Sequence, residues 1–293
     1  MNDVATNSVV RSLLPATRFS VVGPDSAPVA CAVSGGADSL SLLVLARAAG
    51  LSVTAYHVDH GLRPGSDREG DVVARLAASL GAHFVSLRAD LADGPNLEAR
   101  ARDARRALMP PGVLTGHTAD DQAETILMNL MRGSSTEGLS GMRFDHTKPL
   151  LNLRRRDTEA LCESLGLTVV HDPSNADPRF QRNRVRHELL PLMADIARRD
   201  VAAIVSREAR YLGEDDDFLH DLAHTIDVHD AQQLAAAPLP LARRAIRRWL
   251  AQPYPPDAAT VERVLDVARG LTPGCDVGAG RQVRRSQQRL RLQ

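Results

Sequence analysis

The stretch Ser34-Gly35-Gly36-Ala37-Asp38-Ser39 lies between a short apolar run, 29–33, and an apolar segment, 38–49, that is typical of a helix. Its two glycines let the backbone approach a ligand closely, its serines offer hydroxyl groups, and the helix start presents free N–H groups. The stretch therefore predicts an anion-binding loop. It is not a Walker A loop, which needs a lysine after its last glycine, because the only lysine of the chain is Lys148.

Strand and helix patterns alternate around this loop. The segments that predict strands are 29–33, 52–58, 83–87 and 113–115, and those that predict helices are 38–49, 67–80, 97–108 and 120–131. Such an alternation indicates an α/β fold, with a Rossmann-like parallel sheet flanked by helices. Ligands of these sheets bind at the carboxyl ends of the strands, so we expect the loops 34–38, 57–66 and 115–121 to surround one crevice.

The remainder of the chain predicts a smaller, mainly helical domain. A Gly-, Ser- and Thr-rich connector, 133–153, is long enough to be mobile. Further elements are expected at 158–165 (helix), 168–171 (strand), from Asn183 (helix), at 241–251 (helix with an arginine face), after Asp257 (helix) and near 278–280 (hairpin). The acidic run 214–217 indicates a solvated helix start. We expect a catalytic domain over 1–195 and a helical domain over 200–293.

Charge and composition narrow the class of protein. The chain has 293 residues with 36 basic and 36 acidic side chains, yet residues 241–293 alone hold 11 arginines and 4 acids. A basic end on a neutral chain suggests a polyanionic partner. The three cysteines are far apart and form no CxxC pair. No leader peptide or membrane span is evident, so we expect a reduced, cytoplasmic protein with no membrane partner.

The six-residue loop resembles the pyrophosphate (PP) loop of the ATP pyrophosphatase superfamily. That resemblance implies a PP-loop ATPase fold and cleavage of ATP between its α and β phosphates. Asp38 would hold Mg²⁺ against the phosphates, since a carboxylate suits this hard cation. The ATP-binding residues implied are Ser34, Gly35, Gly36, Ala37, Asp38, Ser39, His60 and Gly116.

Further motifs resemble one family of this superfamily. They are HVDHGLR at 57–63, NLEA at 96–99, GHTADDQAET at 116–125, DPSN at 172–175 and RNRVR at 182–186. In this order and spacing they resemble the tRNA(Ile)-lysidine synthetases over residues 28–195. The resemblance implies a ligase that adenylates the carbonyl oxygen at carbon 2 of the wobble cytidine in a CAU-anticodon tRNA(Ile). Free L-lysine then displaces AMP to give lysidine, and the codon read changes from AUG to AUA.

The implied roles agree with the chemistry of the side chains. Asp38, Arg102 and Arg105 are the expected catalytic residues, and Arg106 departs from the aromatic residue usual in the family. Lysine is a cation, and His117, Asp121 and Glu124 are the expected residues that bind it. In the helix 120–131 these two carboxylates fall off the apolar stripe, which we expect to be buried. The stripe comprises Ala123, Ile126, Leu127, Leu130 and Met131.

Recognition of tRNA is expected to depend on arginine. Only 3% of the residues are aromatic, so base-stacking platforms are scarce and phosphate contacts should dominate, with strong salt dependence. Longer members of the family carry a second C-terminal domain, and a homodimer is plausible by resemblance alone. The candidate tRNA-binding residues are Arg182, Arg184, Arg186, Arg243, Arg247, Arg284 and Arg285.

Other functions stay open at this point. A tRNA thiolase of the same superfamily would relay sulfur through cysteine, but isolated cysteines favour a structural role in the core. Amidotransferase relatives lack the DDQAET signature. A non-catalytic tRNA-binding protein would not need an intact loop. Asp120 and Asp121 could simply cap their helix, and a zinc site at His57 and His60 lacks a third ligand nearby.

Overall fold

The computed structural model describes residues 4–19, 27–59, 67–89, 100, 104 and 106–293. The chain divides into two compact units, Met1–Arg210 and Tyr211–Gln293. The predicted helix 97–108 lies mostly outside the described residues, and so do Arg102 and Arg105. His60 also falls outside them.

A parallel sheet forms the centre of the first unit. Its strands β1 (Val29–Ala32), β2 (Val53–Asp59) and β3 (His83–Arg88) are adjacent in that order. All pairings are parallel, with Val29 opposite Val53 and Thr54 opposite His83. The expected fourth strand at 113–115 is reduced to a single parallel bridge, between Leu114 and Cys31. The predicted α/β class with a parallel sheet is confirmed.

Helices accompany this sheet in the first unit. They are α1 (Ser8–Leu13), α2 (Ala37–Ala48), α3 (Asp67–Ser79), α4 (Ala119–Met131), α5 (Thr136–Leu139) and α6 (Arg155–Ser164). The helix α2 follows the glycine loop, and Leu40, Leu42, Leu43 and Leu45 are all fully buried along it. A helix that is apolar all round lies in the core, and this one packs against α6. The crossover between β1 and β2 is thereby fixed inside the unit.

The expectations for residues 133–200 have different outcomes. The segment 168–171 is not a strand, although the Val170 N–H donates to the Gly35 carbonyl at 2.9 Å. The connector 133–153 is anchored, because it contains α5 and because Leu150 and Leu153 are buried in the core. The helix expected from about Asn183 is confirmed, and it consists of α7 (Gln181–Arg184), a π-helix (Val185–Leu189) and α8 (Leu190–Ala197). The π-helix precedes a proline, which has no N–H to continue the α-helical ladder.

The second unit combines helices with a small antiparallel sheet. Its elements are the later part of α9 (Val201–His224), α10 (Ala231–Ala236), α11 (Leu239–Trp249), α12 (Ala258–Arg269), β4 (Gly274–Gly278), β5 (Arg281–Ser286) and β6 (Arg289–Leu292). The expected hairpin is present as β4 and β5, and β6 adds a third strand. Ile246, Leu265, Val283 and Leu290 meet in its apolar core.

The acidic run 214–217 is not a solvated helix start. It lies in the middle of α9, and Asp216 is buried. Its carboxylate accepts a hydrogen bond from Arg244 of α11 at 2.7 Å. Successive residues of a helix point about 100° apart, so neighbouring acids of this run lie in different environments.

Candidate active site

The predicted anion loop leads from β1 into α2. The Ser39 hydroxyl donates to the Gly36 carbonyl at 2.9 Å and accepts from the Ser34 N–H at 3.1 Å, so the loop folds tightly on itself. Gly35 has a φ of +91°, and a Cβ atom there would lie 2.8 Å from Val170. Because Gly36 is the N-cap and has no side chain, no capping side chain covers the first N–H groups of α2. An anion can approach them directly.

Gly116 holds a second loop close to the first. A Cβ atom on Gly116 would lie 2.6 Å from the carbonyl oxygen of Asp38. Only glycine allows the two backbones to approach this closely. The loop that starts the GHTADDQAET motif therefore lies against the first turn of α2, as expected for two loops at the carboxyl ends of neighbouring strands.

Asp38 lies in that first turn and is largely buried. Burial raises the pKa of its carboxyl group to about 6, and hydrogen bonds from Thr158 and the charge of Arg155 offset only part of this effect. The Thr158 hydroxyl donates to the carboxylate, and the Arg155 Nε lies 3.5 Å from it. An acid with this environment gains from a further cation.

The helix α4 carries the two carboxylates that sequence reasoning selected for lysine. Asp121 is 9% exposed and accepts from the Thr118 N–H at 2.9 Å, in a capping box, while Glu124 is fully buried. The expected amphipathic pattern is therefore wrong in part. Leu130 and Met131, at the end of the predicted apolar stripe, are 56% and 51% exposed. The buried face of α4 is thus polar at its start.

Three arginines neutralise these buried carboxylates. Glu124 lies 3.2 Å from Arg155, 2.7 Å from Arg182 and 2.6 Å from Arg186. Asp121 lies 3.1 Å, 3.3 Å and 3.6 Å from the same three side chains. Burial opposes ionisation of Asp121, but Arg155 and Arg182 outweigh it and lower its pKa. Arg182 and Arg186, expected to contact tRNA, lie beside the expected lysine-binding pair.

A second ionic group, which sequence reasoning missed, joins the helix starts. Arg154 donates to Asp120 through Nε at 2.9 Å and also pairs with Asp200. Asp120 further accepts from the Arg155 N–H at 2.8 Å. Burial favours the neutral acid, but Arg154 and the N–H of Arg155 prevail and lower the pKa of Asp120. The only sequence signal was the charge run 154–157, which did not distinguish its members.

The other predicted residues of the first unit are more dispersed. His117 Nδ1 lies 2.8 Å from the Thr115 hydroxyl. Arg184 pairs with Glu188 at 2.8 Å on an exposed surface and does not join Arg182 and Arg186 at Glu124. His57 is buried, with its Nδ1 2.9 Å from the Val33 carbonyl oxygen.

The arginines of the second unit are in several environments. Arg243 pairs with Glu262 at 2.7 Å, and Arg285 donates to the Ala268 carbonyl at the end of α12. Arg284 is exposed and lies directly opposite Arg291 in the β5–β6 pairing. Like charges directly opposite in a sheet destabilise it, so this face favours an anion. Arg247 has no ion pair within the described part of the chain.

Three features of the described residues concern metal binding, thiol chemistry and membrane insertion. No group of histidine, cysteine, aspartate or glutamate there could hold a metal ion by itself. Cys31 and Cys162 are buried and Cys275 is half-buried, and all three are free thiols. None of the described helices is long and apolar enough to cross a membrane.

Comparison with known proteins identifies the class. A family profile described as a PP-loop domain matches residues 10–193, and one described as the TilS substrate binding domain matches residues 230–291. The solved structure of a U34-tRNA thiolase from Methanococcus maripaludis superposes with a TM-score of 0.55 at 16% identity, covering 72% of this chain and 81% of that one. This likeness supports the fold alone. The protein is thus a member of the PP-loop class, which uses ATP.

Sequence relatives specify the family. A tRNA(Ile)-lysidine synthase of Rhodococcus erythropolis is 43% identical over 240 residues, covering 76% of this chain and 74% of the relative. Another, of Cutibacterium acnes, is 37% identical over 285 residues and covers 89% of both chains. The chain belongs to the tRNA(Ile)-lysidine synthase family, and it is a ligase.

Proposed function

We propose that this chain ligates free L-lysine to carbon 2 of the wobble cytidine in a CAU-anticodon tRNA(Ile), through an adenylated intermediate. The observation that carries the proposal is the junction at Arg155. This side chain contacts Asp38 of the nucleotide loop as well as Asp121 and Glu124 of α4. An ATP-binding loop and a buried acidic pair therefore adjoin each other, as a reaction between an adenylated base and an amine requires.

ATP would bind with its phosphates at the start of α2, where uncovered N–H groups and the loop Ser34–Ser39 supply donors. A magnesium ion fits this place, because it needs only one or two protein carboxylates and takes its other ligands from phosphate and water. Asp38 supplies such a carboxylate, and burial raises its pKa more than Thr158 and Arg155 lower it, so a further cation would favour its ionised form. When bound, the ion would neutralise charge that develops on the phosphates.

The lysine would be held by Asp121 and Glu124, with His117 beside them. Buried carboxylates require a cationic partner, and an ammonium group satisfies this need with three N–H donors. The N-terminus of α4 also helps to position the lysine site, because the capping box fixes the orientation of Asp121. We further propose that Arg102 and Arg105, outside the described residues, act on the adenylated base.

The tRNA would contact arginines of both proposed domains, 1–195 and 200–293. Arg284 and Arg291 are the best supported pair, because their direct opposition on an exposed strand is relieved by phosphate. Arg184 and Arg247 are further candidates. Arg243 and Arg285 are engaged with Glu262 and with α12, so their contribution would be smaller. The reaction belongs in the cytoplasm, where tRNA, ATP and lysine occur together, and a homodimer is an additional proposal.

The test combines the protein with ATP, Mg²⁺, labelled lysine and unmodified CAU-anticodon tRNA(Ile), followed by mild alkali. An aminoacyl ester is hydrolysed, whereas lysine on carbon 2 is retained. Retained label that is absent with Asp38→Ala supports the proposal. AMP release that depends on tRNA but gives no label would replace lysine by another nucleophile, with sulfur tested first. Neither product, with tRNA still bound, would indicate a binding protein instead.

A matched pair of variants tests the lysine site. Glu124→Gln should raise the KM for lysine by at least about tenfold while tRNA-dependent diphosphate release from ATP continues, because only the second step needs the ammonium contact. Glu163→Gln, an exposed acid on α6, should change neither quantity. An unchanged lysine KM in Glu124→Gln would remove Glu124 from the lysine site.

A further inference from the structure

The guanidinium of Arg155 forms ion pairs with three acids at once. Its NH2 lies 3.1 Å from Asp121, its NH1 3.2 Å from Glu124 and its Nε 3.5 Å from Asp38. Neither the sequence motifs nor the family comparison singled out this residue. It is the only described side chain that ion-pairs with both the nucleotide loop and the acidic pair of α4.

The charges at this junction already balance. The acids are Asp38, Asp121 and Glu124, and the cations are Arg155, Arg182 and Arg186. A lysine molecule adds two ammonium groups and one carboxylate, hence a net positive charge. Burial of an additional unpaired cation is costly, so lysine can bind tightly only when one arginine leaves the acids.

Binding of ATP would favour the movement of an arginine away from the acids. Its phosphates carry several negative charges and would lie at the start of α2, next to Asp38. The contact of Arg155 with Asp38 is long, at 3.5 Å, so the guanidinium is already near this place without being firmly held there. Guanidinium groups bind phosphate in a bidentate manner at least as well as they bind carboxylate.

We propose that Arg155 is an exchangeable counter-ion that couples ATP binding to lysine binding. Without substrates its guanidinium neutralises Asp121 and Glu124. When ATP occupies the loop, the guanidinium turns to the phosphates and releases the two carboxylates to the ammonium groups of lysine. This inference rests on the proposed lysine-binding role of Asp121 and Glu124.

The local structure allows this exchange without rearrangement of the backbone. Arg155 is the first residue of α6, and its N–H is fixed by Asp120 at 2.8 Å. Asp120 is in turn held by Arg154. Only the side chain of Arg155 needs to turn, and it is 21% exposed. Arg182 and Arg186 stay with Glu124, so the acid is never left without a partner.

The experiment measures lysine binding by calorimetry, with and without Mg²⁺ and α,β-methylene-ATP, which is not cleaved between the α and β phosphates. In the unsubstituted protein the nucleotide should tighten lysine binding at least about fivefold, within the usual range of coupling between two sites. Lysine should tighten nucleotide binding by the same factor, because coupling of two binding equilibria is reciprocal.

Arg155→Gln should lose this coupling and bind lysine alone at least about fivefold more tightly than the unsubstituted protein, since no guanidinium has to be displaced. Arg156→Gln is the matched control. The Arg156 side chain is 72% exposed, and the acids it lies near are Asp157 and Asp200. The coupling should therefore persist in this variant. Arg155→Lys keeps the charge and should retain coupling of the same sign, and it replaces Arg155→Gln if that variant does not fold.

Distinct outcomes would overturn distinct steps. If Arg155→Gln binds lysine more weakly than the unsubstituted protein, Arg155 is part of the lysine site and the exchange is refuted. Equal coupling in Arg155→Gln and in the unsubstituted protein refutes the exchange as well. Absence of coupling in both Arg155→Lys and the unsubstituted protein also refutes it. Failure of the unsubstituted protein to bind lysine in either state would overturn the proposed role of Asp121 and Glu124, and the exchange with it.

Discussion

Replacement of Asp38 by Asn should stabilise the substrate-free protein while it abolishes ligation. Burial raises the pKa of the Asp38 carboxyl group from its ordinary 3.8 to about 6. At 1.36 kcal/mol per pH unit this difference corresponds to about 3 kcal/mol of cost for the ionised form at pH 7.5. The side chain is 26% exposed, and solvent screening reduces the expected gain to about 1–2 kcal/mol. Asn keeps the acceptor for the Thr158 hydroxyl.

The pH dependence gives this prediction a sign. A carboxyl group with a raised pKa in the folded state contributes its full stabilisation below pH 3.8 and loses it as the pH rises through 6. The advantage of Asp38→Asn should therefore be full at pH 7.5 and shrink to about a third at pH 4.5. Urea unfolding followed by far-ultraviolet circular dichroism measures it, since the only tryptophan, Trp249, belongs to the second unit.

Asp120→Asn is the matched control with the opposite sign. The pKa of Asp120 is lowered, so its ionised form stabilises the fold at neutral pH and that stabilisation is lost as the pH falls. This variant should be destabilised by about 2 kcal/mol at pH 7.5, the usual worth of charged hydrogen bonds. A loss of stability in Asp38→Asn, or a gain that does not change with pH, would refute the assignment of the Asp38 environment.

Three further predictions follow from the site and the surface. Gly116→Ala should lower the free energy of unfolding by about 2 kcal/mol, because its Cβ would meet the Asp38 carbonyl oxygen at 2.6 Å. Gly36→Ala is the comparison, since a Cβ there has no neighbour nearer than 3.8 Å. Urea unfolding measures both variants. Arg284→Ala should reduce the slope of log Kd for tRNA against log salt by about one in filter binding, and Arg243→Ala should change it less because Glu262 already pairs with that arginine. Replacement of Cys31, Cys162 and Cys275 together by serine should leave lysine incorporation intact. Loss of turnover in a variant that still folds would favour sulfur transfer instead.

The parallel sheet could be predicted because its signals are local. Apolar runs such as 53–58 end in polar loops, and the intervening helices carry apolar faces, so the parallel sheet and the edge that binds ligands follow from general rules. The segment 168–171 shows where this reasoning stops. Its residues have β propensity, but the hydrogen bond that the segment makes to the loop after β1 is a single one, from the Val170 N–H to the Gly35 carbonyl. Whether a segment becomes a strand depends on a free edge, which sequence does not show.

The site was predictable where a residue type alone carries the chemistry. The glycine loop and Asp38 belong to that kind, since few residues can serve there. The arginines next to them do not. In the run 154–156 one arginine joins Asp120, the next enters the acidic pair, and the third is 72% exposed. These partners are 31 to 34 residues away in sequence, so only the three-dimensional structure distinguishes the three side chains.

The ionic cluster at α4 is better explained by substrate exchange than by stability. Desolvation of buried ion pairs offsets most of their attraction, and apolar residues of similar size often replace such pairs without loss. The first unit already has a continuous apolar core, and Glu124 is nevertheless fully buried among arginines. Asp38 differs, because burial raises its pKa and the long contact with Arg155 offsets only part of that effect. Within one site, therefore, one acid has only a weak hold on a movable arginine that the other two acids share, and binding of a nucleotide with its metal ion and of an amine would satisfy all three acids together.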